Sequence, residues 1–339
     1  MRNQLRTLYL STPGTTARIE HAAIKVERPD QPAVRVPLRE VDSIIAYGHI
    51  NLTTDLIHAC AQNSTRITYL TRAGRFIAQC NGPTTGNVFL RRAQYRTQVD
   101  TALGITTAAI NAKILNSRTL LLDTAKDRAG DAVRLRRICD QLATLASQAR
   151  YAPDIDIARG YEGQAAAVYL RVLGTLPTNP AFRFTKRTRR PPLDPGNAIL
   201  SYLYALATTR CVAACETVGL DPQAGYLHTD RPGRPSLALD LLEELRAPLV
   251  ERFALTIINR RQITEADLVE RPGGAWELTD AGRRTLLDAW DTHLKQPVPH
   301  RALEEPVARR DLPHIQANLL ARHLRGDLNH YLPFRTVPR

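Results

Sequence analysis

Four side chains between positions 162 and 243 have the chemistry to bind one divalent cation. They are Glu162, His228, Asp240 and Glu243. Asp240 and Glu243 lie three positions apart, so in a helix both would project from the same side. Carboxylates with one imidazole suit Mg²⁺ or Mn²⁺ better than structural zinc, which prefers cysteine. The pattern predicts a magnesium or manganese site; the alternatives are a solvated acidic face and a histidine with a structural role.

The net charge of the chain indicates which class of substrate such a site would act on. The 339 residues carry a formal net charge of +13, and only five of the 46 basic residues are lysine. Genome composition can account for part of the preference for arginine, but it does not explain the net charge. Arginine forms bidentate contacts with phosphate, and a strongly basic protein attracts polyanions. These features predict metal-dependent phosphoryl chemistry on nucleic acid.

Two basic segments lie close to the candidate ligands in the sequence. One is the loop Asn179–Pro195, which also contains two phenylalanines, and the other is the turn that follows His228. Basic side chains can hold phosphates and aromatic rings can stack on bases, although a solvated loop is the alternative. Five arginines are the predicted DNA contacts: Arg187, Arg189, Arg190, Arg231 and Arg234.

The N-terminal part of the chain, up to position 82, has the pattern of a β domain. Turn residues separate short segments rich in Val, Ile, Thr and Tyr, and one helix capped by Thr53 or Thr54 intervenes. The predicted strands lie within Leu5–Leu10, Ala17–Val26, Val34–Leu38, Ser43–Tyr47, Arg66–Leu70 and Arg75–Cys80. The stretch Asn81–Asn87, which contains two glycines and a proline, is the clearest linker.

After the linker, apolar residues recur at helical spacing. The predicted helices are Phe89–Leu103, Thr107–Arg128, Ala132–Arg150, Glu162–Leu173, Asn197–Val218, Leu237–Asn259, Arg283–Lys295 and a last one through 312–325. We therefore predict a two-domain α+β protein. Residues 1–82 form a β-sheet domain, 83–95 a linker and the start of a helix, and 96–339 an α-helical catalytic domain.

Several classes of protein lack support in the sequence. It contains no Gly-rich phosphate loop, no Ser-His-Asp signature and no His-Glu-x-x-His. The five cysteines are scattered and odd in number, which indicates a reduced, cytoplasmic protein. We expect no signal peptide and no membrane-spanning segment.

The chain resembles the CRISPR-associated integrase/endonuclease family that captures new spacers ("Cas-one"), and looks closest to its type I-C group. The similarity follows the same order along most of the chain, while 262–339 match loosely. The matching stretches are Leu5–Ser11 with Thr12–Gly14, Gly82–Val88 with Arg91–Arg96, Glu162–Tyr169, Arg189–Ala198, Gly225–Thr229 and Gly233–Arg246.

This resemblance implies roles for the four candidate residues. Glu162, His228 and Glu243 correspond to the family's metal ligands, and Asp240 to a nearby acid that is important for activity in some members. It also implies an N-terminal β domain, a helical catalytic domain and a homodimer. Two such dimers would join a dimer of the small "Cas-two" protein.

The expected reaction is strand transfer. The 3′-hydroxyl of a captured DNA fragment would attack a phosphodiester at the border of a CRISPR repeat, with endonuclease activity at the same site. Because one phosphodiester replaces another, no nucleotide hydrolysis is required. Two alternatives stay open: a stand-alone structure-specific nuclease on branched DNA, and a non-catalytic DNA-binding scaffold.

Overall fold

The computed structural model describes residues 6–72, 76–82 and 88–337. Strands dominate its N-terminal part and helices the remainder, which confirms the predicted α+β class. The chain forms two compact units: 1–85 with 266–269 and 277–288, and 86–265 with 270–276 and 289–339. The division predicted from the sequence, at 82 and 95, stays a prediction. Positions 83–87 of the predicted linker lie outside the described residues.

The first unit contains two four-stranded sheets. Their strands are β1 (Arg6–Leu10), β2 (Thr16–Glu20), β3 (Ala23–Arg28), β4 (Gln31–Pro37), β5 (Val41–Tyr47), β6 (Asn51–Leu52), β7 (Arg66–Leu70) and β8 (Phe76–Cys80). One sheet has the order β1-β5-β7-β8 and the other the order β4-β3-β2-β6. The segment predicted over Ala17–Val26 is two antiparallel strands, because the chain reverses at His21, which has a φ of 56°.

Helix α1 (Thr54–Gln62) completes the core of this unit. Thr53 is its cap, and the hydroxyl of Thr53 accepts a hydrogen bond from the amide of Leu56 at 3.4 Å. The side chain of Leu56 is fully buried with Ile24, Ile44 and Ile67 from both sheets. Burial of these apolar side chains holds the helix against the strands.

The second unit is mainly helical. Its helices are α2 (Val88–Tyr95), α3 (Val99–Asp127), α4 (Ala132–Arg150), α5 (Ile155–Leu173), α6 (Pro195–Val218), α7 (Ser236–Leu245), α8 (Arg252–Asn259), α9 (Asp280–Lys295, which begins in the first unit) and α10 (Leu312–Leu324). Four short strands, which the sequence analysis missed, are β9 (Leu268–Glu270), β10 (Trp276–Leu278), β11 (Pro297–His300) and β12 (Glu305–Ala308). They pair as β9 with β10 and β11 with β12. Most residues of β9 and β10 belong to the first unit.

Two of the predicted helices differ in ways that affect the candidate ligands. Helix α5 begins two turns before Glu162, because Asp154 caps it by accepting a hydrogen bond from the amide of Ile157 at 2.7 Å. The predicted helix Leu237–Asn259 is divided by a π-helical turn, Arg246–Glu251. Pro248 lies in that turn, and proline lacks the N–H that an uninterrupted α-helix requires.

Helix α6 bears on the expectation that no segment spans a membrane. By length and composition alone, α6 is long and apolar enough to cross one. Slightly more than half of its apolar window, 56%, is buried inside the protein. It packs against α7 and α10. Because the buried core helix of a protein that never enters a membrane has the same composition, this feature is weak evidence for a membrane span.

Candidate metal and phosphate site

A cavity of about 240 Å³ in the second unit contains three of the four predicted ligands. Glu162 comes from α5, Glu243 from α7, and His228 from the loop between α6 and α7. The lining also includes Lys113 from α3 and Arg189 from the basic loop. The cavity therefore combines carboxylates, an imidazole and cationic side chains.

The two glutamates converge on a single cation, which is the ammonium of Lys113. Its Nζ contacts Oε1 of Glu162 and Oε2 of Glu243. Nε2 of His228 lies 4.0 Å from Oε1 of Glu243, on the same side of the cavity. The structure thus brings together Glu162, His228 and Glu243, which come from three separate segments of the chain.

This donor set fits a hard divalent cation. Two carboxylates that already bind one positive group, with an imidazole nitrogen beside them, are the ligand types that Mg²⁺ and Mn²⁺ accept. Among the described residues, however, no three His, Cys, Asp or Glu side chains are arranged as a ready metal site. The ammonium of Lys113 takes the place between the glutamates.

Asp240 faces the loop that carries His228 rather than the cation. Its Oδ2 accepts hydrogen bonds from the amides of Tyr226 and Leu227 at 2.6 and 2.9 Å. Its Oδ1 accepts one from the amide of His228 at 3.0 Å and lies 2.7 Å from Nδ1 of that imidazole. With the Nδ1 proton donated to this carboxylate, the lone pair of Nε2 is directed to the cavity.

Two neighbours hold the same loop close to the ligands. A Cβ on Gly225 would lie 2.8 Å from Cβ of Ser236 and 2.9 Å from Oδ2 of Asp240, so any larger residue would separate the loop from α7. Nε of Arg159 donates a hydrogen bond to the carbonyl of Leu227 at 2.8 Å. Arg159 lies one turn before Glu162 on α5, so it ties the helix of Glu162 to the loop of His228.

Glu243 is ionised despite its burial. It is 6% exposed, and burial by itself raises the pKa of a carboxyl group. The positive charges of Lys113 and Arg246 outweigh this effect and hold the pKa of Glu243 well below its ordinary value. Nη1 of Arg246 lies 3.2 Å from Oε1 of Glu243. Asp240 and Glu243 are both buried, so the alternative of a solvated acidic face is wrong.

A buried network lies behind Glu243. Glu251, 1% exposed, accepts hydrogen bonds from the hydroxyls of Tyr169, at 2.6 Å, and Tyr204. The guanidinium of Arg246 stacks on the ring of Tyr204 at 4.5 Å from its centroid. Burial is the main cause that raises the pKa of each tyrosine above its ordinary value, so both are neutral donors. The network fixes Arg246, which in turn contacts Glu243.

The five predicted DNA-binding arginines have different environments. The guanidinium of Arg187 is hydrogen-bonded within the protein. It donates to Oδ1 of Asn197 at 2.6 Å and to Oγ of Ser201 at 2.9 Å. Arg189, Arg190 and Arg231 are exposed and Arg234 is partly exposed. Arg189 also lines the cavity. Four of the five are therefore placed where a phosphate could reach them.

Sequence reasoning missed Lys113, Arg159, Arg246 and Glu251. Lys113, Arg246 and Glu251 lie within predicted helices and Arg159 lies just before one. Most of their partners are on other elements, distant in the chain. The one available signal was that Lys113 is among only five lysines. Beside Glu162, a Cβ added at Gly160 or Gly163 would face open space.

Comparison with known proteins identifies the family. The model for the family "CRISPR associated protein Cas1" matches residues 8–292. The chain is 44% identical over 336 residues to the CRISPR-associated endonuclease Cas1 1 of Moorella thermoacetica, which covers 97% of this chain and 98% of that protein. It is 45% identical over 342 residues to Cas1 2 of Rhodospirillum rubrum, with coverage of 98% and 99%.

Solved structures share the fold. A Cas1 protein from Thermotoga maritima superposes with a TM-score of 0.81 at 24% identity, covering 98% of this chain and all of that one. A casposase bound to its integration product superposes with a TM-score of 0.82 at 21% identity, covering 99% and 94%. The matching family model and the two relatives from Moorella and Rhodospirillum show that this chain belongs to the family of CRISPR-associated Cas1 endonucleases.

Proposed function

We propose that the chain is a metal-dependent DNA integrase. It joins the 3′-hydroxyl end of a captured DNA fragment to a CRISPR repeat by transesterification, and it cleaves DNA at the same site. A new P–O bond forms to the incoming 3′-oxygen, which gives up its proton. The P–O bond to the departing oxygen of the repeat strand breaks, and that oxygen takes up a proton to become a free hydroxyl. The observation that carries the proposal is the convergence of Glu162 and Glu243 on one cation beside His228.

The residues at the cavity would have distinct tasks. Glu162, Glu243 and Nε2 of His228 would hold one Mg²⁺ or Mn²⁺. When bound, such a cation supplies Lewis-acid stabilisation of the phosphate charge and a lower pKa for the attacking hydroxyl. Asp240 orients His228 through Nδ1 at 2.7 Å. Arg189, at the edge of the cavity, provides a positive charge for a phosphate oxygen.

The proposed partners are DNA and a small protein. Exposed arginines (Arg189, Arg190, Arg231) with the partly exposed Arg234 would grip the DNA backbone. One structural neighbour is a Cas6-RT-Cas1–Cas2 complex, superposing with a TM-score of 0.81, which favours a Cas2 partner here as well. We further propose a homodimer, membership of the type I-C group, and a cytoplasmic location, where five free thiols are stable.

A joining assay tests this proposal. Purified protein with its small partner and Mn²⁺ or Mg²⁺ is incubated with short duplex DNA and a supercoiled plasmid that carries a CRISPR repeat. We expect half-site joining that requires metal and a free 3′-hydroxyl. Glu162→Ala should abolish joining and leave DNA affinity within a few-fold, because Glu162 binds the cation and not the DNA backbone.

The outcomes separate the alternatives. Nicking without joined ends would favour the stand-alone nuclease. Joining that survives Glu162→Ala would mean that another site performs the chemistry. DNA binding without any metal-dependent reaction would favour the non-catalytic scaffold. Glu265→Ala is a matched control, because this exposed glutamate contacts Asn179 and lies outside the cavity.

A further inference from the structure

Lys113 occupies the place that a metal ion would take. We infer that its ammonium is an internal counter-ion of the metal-free site, which a divalent cation must displace; this inference rests on the proposed function. The ammonium contacts both Glu162 and Glu243 at once, and its side chain is 13% exposed. A positive group that bridges the same two carboxylates cannot coexist there with a metal ion.

The need for such a counter-ion follows from burial. The side chain of Glu243 is 7% exposed and that of Glu162 is 23% exposed. Two carboxylates this close, and this far from water, repel each other strongly unless a positive charge lies between them. Arg246 contacts the carboxylate of Glu243. Lys113 contacts the carboxylates of both Glu162 and Glu243. The bridging contact of Lys113 therefore offsets the repulsion between the two carboxylates in the absence of metal.

Lysine is suited to being displaced. Its ammonium is a compact charge on a flexible stem, whereas an arginine fork would hold the carboxylates in a fixed bidentate geometry. Lys113 is on α3, where its chain neighbours Ala112 and Ile114 are buried. The small side chains of Ala165 and Ala166 line the cavity beside Lys113. The displaced ammonium then remains in the cavity as a positive charge.

Competition between lysine and metal predicts an unusual phenotype. Replacing Lys113 with methionine keeps the apolar stem and removes the competitor, so metal should bind more tightly. We expect Mn²⁺ affinity, measured by isothermal titration calorimetry on the full chain, to rise about tenfold or more in Lys113→Met. DNA joining should fall in the same variant, because the cavity loses a positive charge. Tighter metal binding with lower activity is not expected from general damage to the fold.

A matched control removes another buried ion pair of the same unit. Nη2 of Arg252 lies 2.6 Å from Oδ2 of Asp123, which is 2% exposed, and neither residue lines the cavity. Arg252→Met should leave Mn²⁺ affinity unchanged. Unchanged or weaker Mn²⁺ binding by Lys113→Met, with wild-type binding that is lost in Glu162→Ala, would overturn this inference alone. Absence of Mn²⁺ binding by the wild type would overturn it together with the proposed metal site.

A second measurement needs no variant. The chain has only five lysines, so acetylation by a water-soluble reagent can be followed at each one by mass spectrometry. Without metal, Lys113 should react far more slowly than the exposed Lys126, Lys186 and Lys295. Saturating Mn²⁺ should raise the reactivity of Lys113 and leave the other three unchanged. Equal reactivity of Lys113 with and without Mn²⁺ would contradict displacement.

Discussion

At the scale of single residues, the carboxylate of Asp240 determines where His228 points. It accepts hydrogen bonds from three consecutive backbone amides and from the imidazole. This arrangement explains how an acid three positions from Glu243 can matter without contacting the cation. Its contribution is the orientation of one nitrogen, and the loop geometry depends on the absence of a side chain at Gly225.

We predict that Asp240→Asn loses both stability and activity. Asparagine keeps the size of the side chain. Its NH2 group, however, would face the backbone N–H groups that now donate hydrogen bonds to the carboxylate of Asp240. Hydrogen bonds to buried charged groups contribute about 1.5–3 kcal/mol each, so the free energy of unfolding should fall by at least about 2 kcal/mol. Denaturant unfolding and the joining rate measure the two effects. Asp154→Asn is the control and should change stability by less than about 0.5 kcal/mol, because asparagine caps a helix as well as aspartate does.

The buried His293 should make the stability of the protein depend on pH. It is buried against the rings of Phe253 and Trp290, and burial lowers its pKa to about 3. Below pH 6.5 the unfolded chain binds a proton at this residue that the folded protein excludes. Between pH 6.5 and about pH 3, this residue therefore lowers the free energy of unfolding by about 1.4 kcal/mol for each pH unit of acidification. Above pH 6.5 it has no such effect.

The prediction is tested with His293→Phe, which keeps an aromatic ring at this position. Urea unfolding at pH 7.5 and pH 5.5 should show a smaller acid-induced loss of stability in the variant than in the wild type, by about 1 kcal/mol. Identical losses in the two proteins would show that His293 titrates normally in the folded state.

The three candidate ligands could be selected from the sequence, but the residues that contact them could not. Glu162, His228 and Glu243 were selected by side-chain chemistry and by resemblance, and the structure brings the three into one cavity. Lys113 and Arg159 gave no comparable signal. A lysine in a long helix has the same local pattern whether its ammonium meets water or two glutamates from elsewhere in the chain.

At the scale of elements, the final segment of the described chain joins α3 to α7 beside the ligands. Glu244, next to Glu243 and fully buried, accepts hydrogen bonds from the hydroxyl of Tyr331 at 2.5 Å and from the amide of Phe334 at 2.6 Å. Asn116, one turn after Lys113 on α3, donates to the carbonyls of Glu244 and Phe334 at 2.7 and 2.9 Å. This segment therefore sets the distance between the helices that carry Lys113 and Glu243.

We predict that Glu244→Ala lowers the free energy of unfolding by about 3 kcal/mol or more, because it leaves several buried donors without an acceptor. Thermal or urea unfolding measures the change, and the exposed Glu305→Ala should alter stability by less than about 0.5 kcal/mol. A Glu244→Ala protein as stable as the wild type would mean that the segment does not hold the helices.

Most helices could be predicted from the sequence, but one helical interruption and four short strands could not. Periodicity located most helices, since their buried faces repeat every three to four residues. It missed the π-helical turn at Arg246–Glu251, where one proline changes the hydrogen bonding, and strands β9–β12, which are only three or four residues long. The role of the final segment was also hidden, because its partners on α3 and α7 lie far away in the sequence.

At the scale of the whole molecule, the charge of +13 predicts salt-sensitive binding to DNA. The exposed Arg231 should contribute one phosphate contact, so Arg231→Ala should reduce the slope of log affinity against log salt concentration by about one. Arg187→Ala should leave that slope unchanged and lower stability instead, because its guanidinium is bound to Asn197 and Ser201. Fluorescence anisotropy over a salt series tests both, and equal slopes for Arg231→Ala and the wild type would remove Arg231 from the interface.

The most direct measurement is anomalous diffraction from a crystal of the protein grown with Mn²⁺. We predict one anomalous peak bounded by Glu162, Nε2 of His228 and Glu243, with the ammonium of Lys113 moved out of contact with at least one glutamate. No peak at this position in saturating Mn²⁺, or a peak bound by other residues, would contradict the proposed metal site.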